Sequence, residues 1–177
     1  MLAAGAAGGL LLGKFLPVLI ANASGTIRAG AGQDPFESLI RQHRELLSLL
    51  DQMESTSTEN FVKRTALALK FKRTIAKHAM AEEDIVYPLL HDDTDRAEAV
   101  EKLYREHAGM KIHLFELQRS VKDHDSWIAN VRSLRAEIEP HARQEEEVEF
   151  PRLRGILNQR KSVNLSRKIQ QEESLIV

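Results

Sequence analysis

The stretch that decides the fold is HAMAEEDIVYPLL, residues 78–90, because the chain repeats it as HARQEEEVEFPRL at residues 141–153. Counted from its His, each copy has Glu at +4 and +5, an aromatic residue at +9, Pro at +10 and Leu at +12. Side chains four residues apart lie one above the other on an α-helix. Each copy therefore predicts a helix that presents one imidazole and one carboxylate to the same point, His78 with Glu82 and His141 with Glu145.

The repeat extends further towards the N-terminus of each copy. The segment LIRQH at residues 39–43 returns as LYREH at residues 103–107, so that His43 matches His107. The chain is therefore interpreted as two related helical hairpins. Each hairpin supplies one lone His and one His-x-x-x-Glu pair.

The composition indicates one soluble helical domain. The chain has 177 residues, of which 42% are hydrophobic, 29% charged and only 5% aromatic, and residues that favour helix are abundant. The net charge of -1 argues against nucleic acid as a partner. The sequence has no Cys, which excludes disulfides, thiolate metal sites and cysteine catalysis.

Apolar periodicity predicts four helices after residue 33. Helix A runs from Asp34 to about Met53, helix B ends at about Leu90, helix C includes residues 100–117 and helix D includes residues 128–148. The expected inward-facing residues include Ile40, Leu47, Ile85 and Val148. Pro140 lies inside the pattern of helix D and should kink that helix just before His141.

Capping residues mark the expected starts of the helices. Asp34 is the predicted N-cap of helix A, followed by Pro35, and Thr56 with Glu59 could cap helix B. Asp95 with Glu98 takes the same role for helix C in this interpretation.

The short turns between helices predict an all-α, up-down-up-down antiparallel four-helix bundle with an extra apolar N-terminal segment. Residues equidistant from such a turn meet at the same height. The midpoint of His78 and His107 falls in the B–C turn, and that of His107 and His141 in the C–D turn. The midpoint of His43 and His78 lies about three residues past the centre of the A–B turn, which corresponds to roughly 5 Å. The four His and two Glu should therefore share one layer.

Imidazole and carboxylate are ligands for Fe, Mn and Zn. A single His-x-x-x-Glu motif is usually a solvated or structural pair, but two copies with two further His residues predict a metal site. Six such groups exceed the needs of one tetrahedral zinc. Carboxylates can bridge, so the natural count is two metals that share Glu82 and Glu145, each with two His. The cost of burying two isolated carboxylates is the physical reason to expect an occupied site.

This arrangement resembles the hemerythrin family in its broad HHE cation-binding form, over residues 34–155. The resemblance implies a four-helix bundle that holds a non-haem di-iron centre, and myohemerythrin is an example of this topology. The implied cofactor is two Fe ions bridged by carboxylates. The implied ligands are His43, His78, Glu82, His107, His141 and Glu145.

The chain departs from the oxygen-carrying members of that family, which have five His residues and a His-x-x-x-His motif on the third helix. The position four residues after His107 is Lys111. His113 is six residues after His107, about 240° around the helix, so it should point elsewhere. The missing His puts reversible O2 carriage in doubt and favours variants that sense iron or oxygen, handle peroxide or nitric oxide, or hold iron.

Several other polar residues lie near the predicted site. Tyr104 could touch it, although a core aromatic is the simpler interpretation. Glu83, Glu146 and Glu106 are expected at the solvated rim, with an extra ligand as the alternative. His91 and His124 lie in turns and should be exposed.

The N-terminal segment differs from the rest of the chain. Residues 1–23 are apolar with a single charge at Lys14, and residues 24–33 form a Gly-rich linker. Three interpretations remain open, namely a membrane or interfacial anchor, a helix or loop packed on the bundle or on a partner chain, and a cleaved signal. The predicted division is 1–33 for this segment and linker, 34–157 for the bundle and 158–177 for a charged tail. The tail either extends helix D or is disordered. The expected location is the cytoplasm, with residues 1–23 as the contact to a membrane surface or a partner helix.

Three functions are compatible with these features. The favoured one is a di-iron protein that binds or senses oxygen or iron without turnover, with O2 or a related diatomic or peroxide as ligand. The second is an enzyme that reduces peroxide, O2 or nitric oxide at the same site. The third is a helical adaptor, attached to a membrane or a partner, in which the metal is structural.

Overall fold

The computed structural model describes residues 34–57, 59–92 and 96–176, and their regular structure is helical throughout. The helices are α1 (Glu37–Glu54), α2 (Phe61–Ala81), α3 (Tyr87–His91), α4 (Ala97–Arg119), α5 (His124–Gln144), α6 (Phe150–Ile156) and α7 (Gln159–Glu173). Two π-helical segments, π1 (Glu82–Val86) and π2 (Glu145–Glu149), connect α2 to α3 and α5 to α6. The predicted all-helical fold is confirmed for this part of the chain. The predictions for the apolar segment and linker, and the predicted cap Asp95, fall outside the described residues.

The four long helices form a closed ring of neighbours. Helix α1 packs against α2 and α5, and α4 packs against the same two helices. Two clusters of buried apolar residues fill the ring, one around Phe71 and Trp127, the other around Phe36 and Tyr87. The predicted site residues lie between the two clusters, so apolar packing encloses a polar layer from both sides.

The predicted helix caps are only partly correct. The N-cap of α1 is Phe36, while Asp34 accepts the backbone N–H of Phe36 at 3.3 Å. The Asp34 carboxylate also accepts from Arg154 Nε at 3.0 Å, so it ties α1 to α6. Asn60, not Thr56, caps α2 by accepting the N–H of Lys63.

Thr56 serves a different purpose from the predicted cap. Its hydroxyl donates to Met53 O at 2.7 Å and accepts from Arg64 Nε at 3.1 Å. The hydroxyl of Thr56 therefore binds the buried Arg64 and does not cap α2. Helix α4 begins after Arg96, whose side chain makes no capping hydrogen bond to the described residues.

The π segments change which side chains face the core. Ile85 and Val148 were expected to point inwards, but Ile85 is only half-buried and Val148 is 42% exposed. Val86 and Glu149 are fully buried instead. The i→i+5 hydrogen bond of a π turn accommodates one more residue than an α turn, so the inward face moves by one position. Glu149 accepts from Arg96 Nε at 3.1 Å and from Gln144 Nε2 at 2.9 Å.

The expected kink at Pro140 does not coincide with a break in the α-helix. Helix α5 continues through Pro140 to Gln144, and the departure from α-helical geometry begins at Glu145. On α1, the outer members of the predicted apolar face, Ile40 and Leu47, are half-buried.

Residues after Asn158 follow neither of the two predicted alternatives. They form a separate helix, α7, whose Leu165 and Ile169 are buried in the second apolar cluster. Glu173 of α7 accepts from Gln42 Nε2 at 2.9 Å. Helix α7 therefore packs on the ring, against α2 and π1.

Among the described residues, no helix is both long and apolar enough to cross a membrane.

Candidate metal centre

The structure brings all six predicted site residues together. His43 comes from α1, His78 from α2, His107 from α4 and His141 from α5, while Glu82 and Glu145 are the first residues of π1 and π2. Each of the six side chains is at most 2% exposed. The repeat and the turn arithmetic therefore predicted their convergence correctly.

One half of the cluster is formed around His43 and His78. Their Nε2 atoms are 3.1 Å apart. His43 Nε2 is 3.2 Å from Glu145 Oε2, and His78 Nε2 is 3.1 Å from Glu82 Oε2. This half of the cluster therefore consists of two imidazoles and one oxygen of each carboxylate.

The other half repeats the arrangement around His107 and His141. Their Nε2 atoms are 3.2 Å apart. His107 Nε2 is 3.3 Å from Glu82 Oε2, and His141 Nε2 is 3.4 Å from Glu145 Oε2. Each carboxylate therefore faces one imidazole from each half.

These separations fit donor atoms arranged around metal ions. Metal–ligand bonds of about 2.0–2.2 Å at tetrahedral to octahedral angles place neighbouring ligand atoms about 2.9–3.5 Å apart. Donor atoms within 4.8 Å of one another form two buried groups that share two members. One group is His43, His78, His141 and Glu145, and the other is His78, Glu82, His107 and His141. The shared His78 and His141 make the two groups one continuous cluster.

Three carboxylates outside the cluster bind the outer ring nitrogens of its histidines. Glu146 Oε1 is 2.8 Å from His43 Nδ1, Glu83 Oε1 is 2.9 Å from His107 Nδ1, and Glu106 Oε2 is 2.9 Å from His141 Nδ1. The expectation of solvated rim residues was therefore incomplete for all three. A carboxylate partner keeps the proton of a neutral imidazole on Nδ1, which directs the Nε2 lone pair inwards.

Buried polar atoms without hydrogen-bond partners provide an independent test of the metal interpretation. Glu82 Oε1, Glu145 Oε2 and His78 Nδ1 have no such partner in the part of the chain that the structure describes, and Glu145 Oε2 lies near two imidazoles without hydrogen-bond geometry. A buried carboxylate oxygen that is left unpaired is costly. Cations between the imidazoles and the carboxylates would satisfy these oxygens, so the residues fit a metal centre.

Tyr87 is a member of the site that sequence reasoning did not identify. Its hydroxyl donates to Glu145 Oε1 at 2.8 Å and is 3.2 Å from His107 Nε2 and 3.4 Å from Glu82 Oε2. On a regular α-helix, Tyr87 would lie about 140° around the axis from Glu82. The π turn, in which the N–H of Tyr87 bonds to Glu82 O, rotates the phenol back to the face of Glu82.

The signal for this π turn was the Tyr-Pro and Phe-Pro pairs shared by the two copies of the repeat. A proline inside a helix has no N–H to donate, and its ring clashes with the carbonyl four residues earlier. Pro88 and Pro151 each lie two positions after the last residue of a π segment, with one aromatic residue in between. In the second copy, Phe150 takes the place of Tyr87 and stacks on Phe36 with ring centroids 4.6 Å apart.

Without a metal, the negative carboxylates hold protons on part of the cluster. Burial disfavours a charged His43, but the contacts of His43 with the carboxylates of Glu145 and Glu146 outweigh it and raise the pKa of His43 to about 10. For His107, burial is likewise outweighed by Glu82 and Glu83, and its pKa rises to about 9. Burial lowers the pKa of His78. The cluster therefore attracts cations of any kind, protons included.

The carboxyl group of Glu82 and the phenol of Tyr87 have pKa shifts of opposite direction in the same surroundings. Burial would raise the pKa of Glu82, but His78 and His107 beside it hold that pKa well below the usual range. Burial and the charge of Glu82 raise the pKa of Tyr87 well above its usual range. The carboxylate is therefore ionised and the phenol neutral near pH 7.

The remaining predicted neighbours lie outside the cluster. Tyr104 is 40% exposed and donates to Glu83 O at 2.8 Å. Lys111 Nζ contacts Glu83 Oε1 at 2.7 Å, and His113 Nε2 lies 3.1 Å from Glu137 Oε1, away from the site. His91 and His124 are exposed, as expected.

Comparison with known proteins is consistent with this geometry. A family model described as the hemerythrin HHE cation binding domain matches residues 34–153. The chain is similar to an uncharacterised hemerythrin-like protein of Schizosaccharomyces pombe, with 22% identity over 142 residues that cover 79% of this chain and 69% of that protein. No solved structure matches the chain.

Proposed function

The chain belongs to the hemerythrin HHE cation-binding family, and from this premise and the geometry of the cluster we propose that it is a non-haem di-iron protein that binds or senses oxygen or iron. The observation that carries the proposal is the pair of facing imidazole couples, His43 with His78 and His107 with His141, at 3.1 and 3.2 Å. The two couples are connected by two buried carboxylates. The four long helices that supply these residues would run up-down-up-down, in agreement with the short turns between them.

The arrangement of donor atoms supports two ions instead of one. Each ion would take one imidazole couple, and Glu82 and Glu145 would each bridge the two ions. The proposed ligands are His43, His78, Glu82, His107, His141 and Glu145. Metal ions held by the two carboxylates would account for Glu82 Oε1 and Glu145 Oε2, which have no hydrogen-bond partner among the described residues.

Ligand chemistry supports iron over a structural zinc. Structural zinc sites are closed and tetrahedral, and they usually contain thiolates, whereas mixed imidazole and carboxylate sets suit iron. When bound, a di-iron pair supplies redox chemistry towards O2, peroxide or nitric oxide. The protein would orient the imidazoles through Glu83, Glu106 and Glu146, and it would exclude bulk water because the six side chains are buried.

One observation favours an enzyme as the second candidate. The neutral phenol of Tyr87 lies within hydrogen-bond distance of His107 and of both buried carboxylates, Glu82 and Glu145. A hydroxyl at that position could donate a proton during reduction of peroxide, O2 or nitric oxide, as general acids do. A purely binding function would need the hydroxyl only to orient Glu145.

Anaerobic loading with Fe(II), followed by stepwise addition of O2 or hydrogen peroxide, distinguishes the two functions. Reversible changes in visible absorption that follow the O2 pressure would support binding, and sustained consumption of peroxide would support an enzyme. The Tyr87→Phe variant should keep the metal content in both cases and should lose turnover only in the second. Tyr104→Phe is the matched control because the Tyr104 hydroxyl donates to Glu83 O outside the cluster, and phenylalanine keeps the ring that packs on Tyr87. A protein that takes up no Fe(II) would contradict both functions, and one that takes up Fe(II) but neither responds to O2 nor consumes peroxide would contradict oxygen binding and the enzyme.

A further inference from the structure

An apolar cavity of about 370 Å³ lies between α2 and α4, beside the metal centre. Ile75, Ala76, Ala79 and Met80 of α2 face Met110 and Leu114 of α4 across it. Small-molecule sites in proteins typically have volumes of about 300–1,000 Å³ and mostly apolar walls with a few polar groups. The cavity has the size and the lining of such a site.

The cavity is elongated along α2. It extends from Lys72 at one end to Glu83 at the other, which corresponds to about 16 Å at the rise of an α-helix. Leu69, one turn before Lys72, is 45% exposed and continues the apolar surface. Ile176, which follows α7, closes part of the cavity. The shape therefore suits a narrow, extended ligand.

The two ends of the cavity differ in charge. Lys72 has apolar residues at all four neighbouring helical positions, namely Ala68, Leu69, Ile75 and Ala76. No carboxylate of the described residues forms an ion pair with Lys72. At the other end, Glu83 is already paired with Lys111 at 2.7 Å and with His107 at 2.9 Å. The unneutralised charge at the apolar cavity is thus the ammonium of Lys72.

The acid at the far end, Asp84, does not offset this cation. It lies about twelve residues along α2 and π1 from Lys72, roughly 18 Å away at helical rise. Asp84 also lines a neighbouring cavity together with Lys161 and Lys168, so two other cations share its surroundings. A ligand that spans the cavity would therefore place an anionic group at Lys72 and an apolar tail towards Met80.

We propose that this cavity binds a medium- or long-chain carboxylate, a fatty acid, with its carboxylate at Lys72 and its alkyl chain between α2 and α4. The apolar walls take up the chain through the hydrophobic effect. Lys72, the lining cation that has no carboxylate partner among the described residues, sets its direction. This proposal does not depend on the metals, although the tail would end beside His107.

The test uses dodecanoate and the full chain, with displacement of a fluorescent fatty-acid analogue or calorimetry as the readout. We expect saturable binding that weakens by about fourfold for each methylene removed, as expected for a chain being buried. Lys72→Gln should weaken binding by about fivefold, the upper range for an exposed ion pair. Lys63→Gln is the matched control, because Lys63 is an exposed residue of the same helix and does not line the cavity.

A second pair of variants tests the cavity itself. Ala76→Leu adds volume inside the cavity and should reduce affinity for dodecanoate, whereas Ala66→Leu on the exposed side of α2 should not. Circular dichroism is used to check that both variants fold. The proposal is overturned if binding is not saturable, if Lys72→Gln and Lys63→Gln behave alike, or if dodecyltrimethylammonium binds as tightly as dodecanoate. Binding that appears only after deletion of residues 1–30 would also overturn it, because the chain's own apolar segment would then occupy the cavity.

Discussion

Metal binding by this chain should weaken steeply as the pH falls, because ions must displace protons from the cluster. Imidazole binds a metal only in its neutral form. Without metal, the pKa of His43 is raised to about 10 and that of His107 to about 9. Both imidazoles therefore carry a second ring proton, and a positive charge, at pH 7. The lowered pKa values of His78 and Glu82 mean that His78 is a neutral imidazole and Glu82 a carboxylate, so neither has a titrating proton to release.

The magnitude follows from the number of protons. Loading the site at pH 7 should release about two protons per chain, and the apparent association constant should then change about hundredfold per pH unit. Between pH 8 and pH 6 the loss would be about 10⁴-fold, or roughly 5.5 kcal/mol. The metal affinity decreases as the pH falls because imidazoles with raised pKa values take up protons, and these protons compete with the metal ions.

Calorimetric titration in two buffers of different ionisation enthalpy measures the proton count directly, and competition with a chelator of known pH dependence measures the slope. His113→Gln is a suitable control, since His113 pairs with Glu137 outside the cluster. That variant should leave both quantities unchanged. A proton count near zero at pH 7 would refute the reasoning, because it would mean that His43 and His107 are already neutral in the metal-free protein.

Four further outcomes are expected. Glu146→Gln, which removes the carboxylate partner of His43, should lower metal affinity about 10–100-fold, whereas exposed Glu147→Gln should not, as measured by chelator competition. Arg64→Met should lower the free energy of unfolding by about 2–4 kcal/mol, because it leaves buried acceptors of Arg64 unpaired. The metal content should not change, because these acceptors lie far from the site. Denaturant unfolding and metal analysis check the two outcomes. The metal-free protein should lose stability as the pH rises from 6.5 to about 10. His43, whose pKa is raised in the folded protein, stabilises the fold only while its imidazole is protonated. Denaturant midpoints measured across this pH range test the prediction. Deleting residues 1–30 should leave the metal content unchanged, because the six proposed ligands follow Asp34.

The sequence was sufficient to predict the convergence of the six side chains, and the reason is the regularity of the helices up to the site. His43, His78, His107 and His141 all lie in α-helical segments, where periodicity and turn position determine face and height. Glu82 and Glu145 each lie one α-helical turn after a His and are the first residues of the π segments. The π geometry therefore has not yet rotated their side chains away from the face that an α-helix predicts. The arithmetic of 3.6 residues per turn therefore applies to all six.

Beyond Glu82 and Glu145, the same arithmetic fails because a π turn follows each of them. Predictions for Ile85 and Val148 were wrong by one position for this reason, and Tyr87 was missed although it belongs to the repeated motif. The proline after each aromatic residue was the available signal for an irregular turn. Periodicity alone could not reveal that the extra residue rotates the phenol of Tyr87 into the site.

The partners of the histidine Nδ1 atoms were not predictable for a different reason. Glu83 lies on the element that follows α2, yet it binds His107 of α4, and Glu106 of α4 binds His141 of α5. Such contacts depend on how neighbouring helices are rotated against each other. A single sequence gives the face of each helix but not the pairing of polar groups at the edges of adjacent faces.

The metal content of the purified, folded chain tests the central claim most directly. After iron-replete expression or anaerobic Fe(II) loading, elemental analysis should give about two irons per chain, as bridging by Glu82 and Glu145 requires. Glu82→Ala and Glu145→Ala should each lose both ions, while Glu147→Ala, an exposed change in the same π segment as Glu145, should keep both. One zinc with no iron, or a Glu82→Ala protein that retains its full iron content, would contradict the account.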